Sequence, residues 1–150
     1  MRAVIQRVKK AKVESNGKIT GEIGNGYFIL LGVGENDAPE DGLWLSNKIN
    51  NLRVFDDDDG KMNLSLSDIE GECLVISQFT LHAKTKKGNR PSFIKAAKPQ
   101  LANELYESFC HNLETLSGKQ VQKGSFGNHM NIESIADGPV TIIIDTKNKE

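Results

Sequence analysis

Apolar and polar positions alternate from the first residues of the chain. Met1 to Val13 mixes alternating and β-branched residues, which predicts a strand, and Asn16-Gly17 after it is a strong short hairpin signal. Ile19 to Ile23 predicts a returning strand, and Gly24-Asn25-Gly26 a second turn. Tyr27 to Val33 is almost continuously apolar, as in a strand covered on both faces. Leu45, Ile49 and Leu52 then recur at helical spacing beside Trp44, which predicts a helix from Asp41 to about Leu52. Gly34 to Asp41, with Pro39, reads as the loop before it.

Val54-Phe55 and Lys61-Met62 flank an acidic turn, and Cys73 to Phe79 predicts another strand. A second helix is predicted from about Pro99, whose ring suits a first helical turn. Leu101, Leu105, Phe109, Leu113 and Leu116 supply its apolar face, and Gly118 its C-terminal cap. Val121 to Lys123, Met130 to Ile135 and Val140 to Asp145 read as strands, and Thr146 to Glu150 as a charged tail expected to fray. Many strands, two principal helices and no regular βαβ alternation define an α+β class. The 150 residues fit one domain spanning 1–150, which would bury about 68–70% of its unfolded surface.

Composition narrows the function classes. With 37% hydrophobic and 26% charged residues the chain is expected to be a soluble globular protein. A net charge of -1 argues against coating nucleic acid through bulk charge, yet allows a local basic patch. The start of the chain has no apolar signal-like run and no segment is long enough for a membrane span, so a cytoplasmic location is expected. Cys73 and Cys110 form no C-x-x-C pair and read as buried free thiols.

Several catalytic patterns fail on their spacing. If Gly60 of Asp56-Asp57-Asp58-Asp59-Gly60 were the sixth position of a calcium loop, positions 1 and 12 would be Phe55 and Leu66, neither of which can ligate as required. A solvated hairpin turn accounts for the segment better. His82, His111 and His129 lie far apart, outside any zinc spacing, and read as surface histidines. Ser77 lacks the glycines of a nucleophile elbow, and no phosphate-binding glycine motif occurs. The chemistry is therefore expected to need no metal or nucleotide cofactor.

Three features remain. Ser77-Gln78-Phe79-Thr80 ends an apolar strand in hydrogen-bonding side chains, where freed backbone N–H groups could face a developing oxyanion. The residues alone fit an ordinary strand terminus as well. Asp137-Gly138-Pro139-Val140-Thr141 reads most simply as a Gly-Pro turn introducing a strand. Its X-Pro bond can also adopt cis at a cost of about 0.5–1 kcal/mol and present successive carbonyls to a ligand. Lys84, Lys86, Lys87 and Arg90 share one loop directly after Thr80, which suits either a solvated face or phosphate contacts.

Ser77-Gln78-Phe79-Thr80 and Gly138-Pro139-Val140-Thr141 together resemble the two signature segments of D-aminoacyl-tRNA deacylases. Ile5-Gln6-Arg7-Val8, Gly21-Glu22-Ile23-Gly24, Leu30-Leu31-Gly32-Val33, Gly60-Lys61-Met62-Asn63 and Arg90-Pro91-Ser92-Phe93 fall in the expected order, so the likeness covers Met1 to Ile144. The resemblance implies a homodimer with barrel-like sheets and active sites at the subunit interface. It implies hydrolysis of the ester joining a D-amino acid, or glycine, to the 3′ end of tRNA. Ser77, Gln78, Phe79 and Thr80 would line one subunit's pocket, walled by Met130. Gly138 and Pro139, joined by a cis bond and braced by Arg7, would enter from the partner.

Two positions depart from the pattern. Ala136 stands where asparagine is usual and Asn128 where alanine is usual. The alternatives are a non-catalytic module binding tRNA or single-stranded nucleic acid through residues 84–90, and an esterase for small D-amino acid esters. Only 6% aromatic residues are available for base stacking, which disfavours the first.

Overall fold

The computed structural model describes Met1–Glu150, and one long strand organises it. Strand β1 (Arg2–Ser15) pairs antiparallel along one edge with β3 (Gly26–Gly32) through residues 2–8 and with β2 (Lys18–Ile23) through residues 11–15. Its other edge is taken by β8 (Asn131–Asp145). Beyond β3 the order continues in parallel register to β6 (Glu72–Ser77) and β7 (Gln122–Lys123). A sheet whose central strand serves two successive partners on one edge must curl. At the far end of the curl, Gly21 of β2 lies against Leu74 of β6 and the Lys123 carbonyl of β7. The result is a nearly closed, mixed barrel with two helices.

The Asn16-Gly17 turn follows its prediction. Asn16 has φ 52° and Gly17 φ 73°, left-handed values that match the twist of the flanking strands. Helix α2 (Pro99–Ser117) has its predicted ends, with Gly118 capping it at φ 71°; of the predicted face Leu105, Phe109 and Leu113 are buried, while Leu101 and Leu116, near the two ends, are each 36% exposed.

Helix α1 spans Pro39–Asn51 and begins two residues before the sequence-predicted start, taking Pro39 into its first turn. Ala38 occupies the N-cap and supplies no side-chain oxygen. The Asp41 carboxylate compensates by accepting the Ala38 N–H at 2.9 Å.

Two apolar clusters divide the interior. The larger joins the outer face of the curl to both helices through residues such as Ile5, Ile29, Leu45, Phe109 and Leu113. The smaller gathers Val8, Val13, Phe28, Leu74 and Ile76, with Met130 at its margin. Cys73 and Cys110 are buried and unpaired, as expected. Burial raises both thiol pKa values, that of Cys110 to about 12, so neither is a nucleophile at neutral pH.

The acidic segment forms the expected hairpin, β4 (Phe55–Asp56) against β5 (Met62–Leu64). The charged tail differs from the fraying expected of it. The Thr146 N–H donates to the Met1 carbonyl at 2.8 Å, Lys147 pairs with Asp41 at 2.7 Å, and Lys149 sits 4.3 Å from the Trp44 ring centre.

Candidate functional site

Strand β6 delivers the first signature segment. Leu74, Val75 and Ile76 are buried, and the ladder ends where the Gln78 N–H donates to the Leu31 carbonyl at 2.8 Å. The strand was predicted to run to Phe79, but it stops at Ser77 and Phe79–His82 wind into a single 3₁₀ turn. An apolar residue at position 79 made the strand look longer than it is. Phe79 is instead 56% exposed, edge-on to Phe93 with ring centres 5.0 Å apart.

The first intraturn bond is made by the Leu81 N–H to the Gln78 carbonyl. The N–H groups of Phe79 and Thr80 precede it and have no acceptor within the protein. The Thr80 hydroxyl accepts from the Gln78 amide at 2.5 Å, and no carboxylate, imidazole or amine bonds it.

Ser77, Gln78 and Phe79 open onto a cavity of about 630 Å³. Met130, Phe126, Phe93 and His129 also line it, and helix α2 contributes Pro99 and Ala102. The Met130 thioether accepts the Ser125 N–H at 3.3 Å, which holds it at the wall. Asn128 lies on the same wall and donates to the Ser125 hydroxyl at 2.6 Å. The departure from alanine therefore adds a bond within the 125–130 loop. No spacing in the sequence marks Phe93, Phe126 and His129 as site residues, and His129 reads there only as a surface histidine, because Phe93 and the 125–130 loop lie far apart along the chain. His82 is not among the lining residues; its Nε2 is buried without a partner. No three His, Cys, Asp or Glu side chains gather as a metal would require.

The second signature segment is elsewhere. The segments predicted as separate strands, Met130–Ile135 and Val140–Asp145, fall in one strand, β8, which starts at Asn131 and pairs with β1 on either side of residues 137–140. The predicted turn between them is an excursion from the ladder. Gln6 pairs with Thr141 and Val8 with Ala136, so Asp137, Gly138, Pro139 and Val140 stand opposite the single residue Arg7. Gly138 has φ 141°, the Gly138-Pro139 bond is cis, and both residues are exposed. Neither they nor Thr80 line the cavity of this chain.

Arg7 holds the excursion. Its side chain is only 7% exposed, and its Nε donates to the Asp137 carbonyl at 3.0 Å and lies 3.2 Å from the Asp137 carboxylate. Its Nη1 donates to the Val54 carbonyl at 2.8 Å and to Asp56 at 3.2 Å.

Lys84, Lys86, Lys87 and Arg90 are all exposed, and none makes an ion pair. Reciprocal bonds between the backbones of Lys84 and Ser92, at 2.8 and 3.0 Å, close the base of their loop. Phe93, one residue beyond, is already in the cavity wall. No helix is long and apolar enough to cross a membrane.

The architecture matches two solved structures. A solved structure described as a probable eukaryotic D-amino acid tRNA deacylase superposes with a TM-score of 0.81 at 18% identity, covering 95% of this chain and 97% of its own, and so shares the fold. A second, the c-Myc DNA unwinding element binding protein, reaches a TM-score of 0.90 at 38% identity over 97% of this chain and 98% of that one. Residues 4–145 match the family described as D-Tyr-tRNA(Tyr) deacylase. The D-aminoacyl-tRNA deacylase of Bacteroides fragilis is 57% identical over 150 residues, all of both chains. That of Fusobacterium nucleatum is 55% identical over 147 residues, 98% of this chain and 97% of the relative. The chain belongs to the D-Tyr-tRNA(Tyr) deacylase family.

Proposed function

We propose that the protein hydrolyses the ester linking a D-amino acid, or glycine, to the 3′ end of tRNA, with each active site shared between two copies of the chain. One observation carries the shared site. Ser77, Gln78, Phe79 and Met130 meet at one cavity, while Gly138 and Pro139 are exposed outside it, on an excursion braced by Arg7. The strand bearing that excursion also exposes Ile132, Ile135 and Ile143, at 37%, 48% and 69%. An isolated chain gains nothing from such a face, and a second copy would cover it.

The chemistry follows from what the floor offers. The free N–H groups of Phe79 and Thr80 are preorganised donors for the oxyanion of a tetrahedral intermediate. A water attacks the ester carbonyl, and the 2′-hydroxyl of the terminal adenosine, or a second held water, passes the proton it loses to the departing 3′-oxygen. Thr80 has no general base beside it, so its hydroxyl orients rather than attacks. L- and D-amino acids carry identical groups, so a rigid surface that blocks one direction at Cα must separate them. The partner's Gly138-Pro139 element supplies that surface, and its carbonyls take the α-amino group. Lys84, Lys86, Lys87 and Arg90 hold the tRNA phosphates, and the cytoplasm is where such a substrate would be met.

Subunit complementation tests the shared site. Ala96 lines the cavity, so Ala96→Trp fills one partner's floor, while Gly138→Ala distorts the other's excursion. Each variant alone is expected to be inactive. Randomly mixed subunits should recover about a quarter of wild-type activity, because half the dimers carry one intact site of two. A mixture as inactive as its parents contradicts the shared site.

A further inference from the structure

We propose that Asp56, in the acidic hairpin, is a positioning residue for the Gly138-Pro139 excursion and acts on it through Arg7. The inference rests on the assignment of that excursion to substrate selection. A guanidinium that is only 7% exposed must have its charge and donors met by protein groups. Nε and Nη1 of Arg7 find theirs on two different elements. Nε reaches the excursion through the Asp137 carbonyl at 3.0 Å and carboxylate at 3.2 Å. Nη1 reaches the hairpin through the Val54 carbonyl at 2.8 Å and Asp56 Oδ1 at 3.2 Å. A planar fork gripped at both ends has its plane fixed, so the hairpin side determines where the excursion side can sit.

The hairpin is built to give that grip. Phe55, beside Asp56, is 4% exposed and lies 4.9 Å from the Tyr27 ring. The turn beyond is closed by the Asp57 N–H donating to the Lys61 carbonyl at 2.8 Å, and by the Asp57 carboxylate accepting from Asp59 and Lys61 at 3.0 Å each. Asp56 is thus carried on an anchored strand, pairing with Met62 of β5. Its carboxylate is also one of two that face Arg7, the other being Asp137. Without it, the Nη1 side keeps one neutral acceptor and the guanidinium can pivot about its bonds to Asp137. Asp58, two residues on, is exposed and bonds nothing, so it shares the charge of the hairpin but not the grip.

The test compares kcat/KM for matched D- and L-aminoacyl-tRNAs in Asp56→Ala, Asp56→Asn and Asp58→Ala. A misplacement of about 1 Å at a positioning element can cost on the order of 10²-fold, so a partial loosening is expected to lower the D:L ratio about tenfold in Asp56→Ala. Asp56→Asn keeps an acceptor without the charge and should lose about three- to fivefold. Asp58→Ala should keep the ratio within about twofold, because losing a surface charge changes tRNA affinity for both substrates alike. If Asp56→Ala unfolds, Asp56→Asn carries the same test. A ratio within twofold of wild type in the folded Asp56 variants overturns the proposal, as does an equal fall in Asp58→Ala. A wild-type protein that itself fails to separate D from L would instead overturn the underlying assignment of the excursion.

Discussion

Gly138→Ala is the substitution for which the structure makes the sharpest separation between stability and activity. Gly138 has φ 141°, a conformation in which an L side chain is strained by about 1–3 kcal/mol. A Cβ there would stand 2.5 Å from the Val140 backbone nitrogen and 2.9 Å from its Cγ2. The first contact is with main chain, so the excursion itself must shift. The position is exposed, which confines the damage. For 150 residues each kcal/mol moves Tm by about 2–4 °C, giving a fall of about 2–12 °C in a thermal melt. The protein should remain folded at 25 °C. Hydrolysis of D-aminoacyl-tRNA, measured there by release of the amino acid, should nonetheless drop on the order of 10²-fold, since in the proposed shared site the displaced atoms are those that meet the substrate. Activity within about threefold of wild type, at the expected Tm, would refute the placing of this element in the site.

Three further outcomes are expected. Thr80→Ala should lower kcat by less than about tenfold, because the hydroxyl is bonded by an amide and lacks a base; a loss of about 10²–10³-fold would make it a direct oxyanion donor or nucleophile. Replacing Lys86, Lys87 and Arg90 by alanine should flatten the slope of log kcat/KM against log salt by roughly 2–3 units, and an unchanged slope would remove the loop from tRNA binding. Burial of Asp41 opposes ionisation, but hydrogen bonds from Lys147 and Ala38 outweigh it and hold the carboxyl at about 2, against an ordinary 3.8. A lowered folded pKa gives stability that is complete above about pH 4 and is lost as pH falls toward 2. After allowance for solvent screening this is about 1 kcal/mol, so Asp41→Asn should be less stable than wild type at pH 7 by that amount and equal to it near pH 2.

The sequence was most legible where one periodicity governs an element. Helix α2 shows its stripe and its Pro99 and Gly118 ends, and the β1–β2 hairpin shows Asn16-Gly17, so both were read directly. The start of α1 was hidden because Ala38 replaces an oxygen-bearing cap and Asp41 serves from inside the helix. The end of β6 was misplaced because Phe79 is apolar yet exposed beside Phe93. Gly138-Pro139 read as a turn because those residues break ladders. Here they leave the ladder without reversing the chain, which is visible only once both flanks are seen to pair with β1.

Within the candidate site the same contrast holds. Ser77, Gln78 and Phe79 form a contiguous motif and do line the cavity, as does Met130. Phe93 arrives from one loop and Phe126 and His129 from another, and Asp56 reaches Arg7 across 49 residues of chain. Such convergence is a property of the curled sheet, and no local pattern encodes it.

The central claim is that the site separates substrates by configuration at Cα rather than by side chain. It is tested most directly by incubating the purified, metal-free protein with two tRNAs carrying the same amino acid, one D and one L, and following ester hydrolysis of each. The account predicts that the D-ester is cleaved at least about 10²-fold faster in kcat/KM, the discrimination a blocking surface worth about 2.7 kcal/mol provides. Equal cleavage of both esters, or of neither, would contradict it.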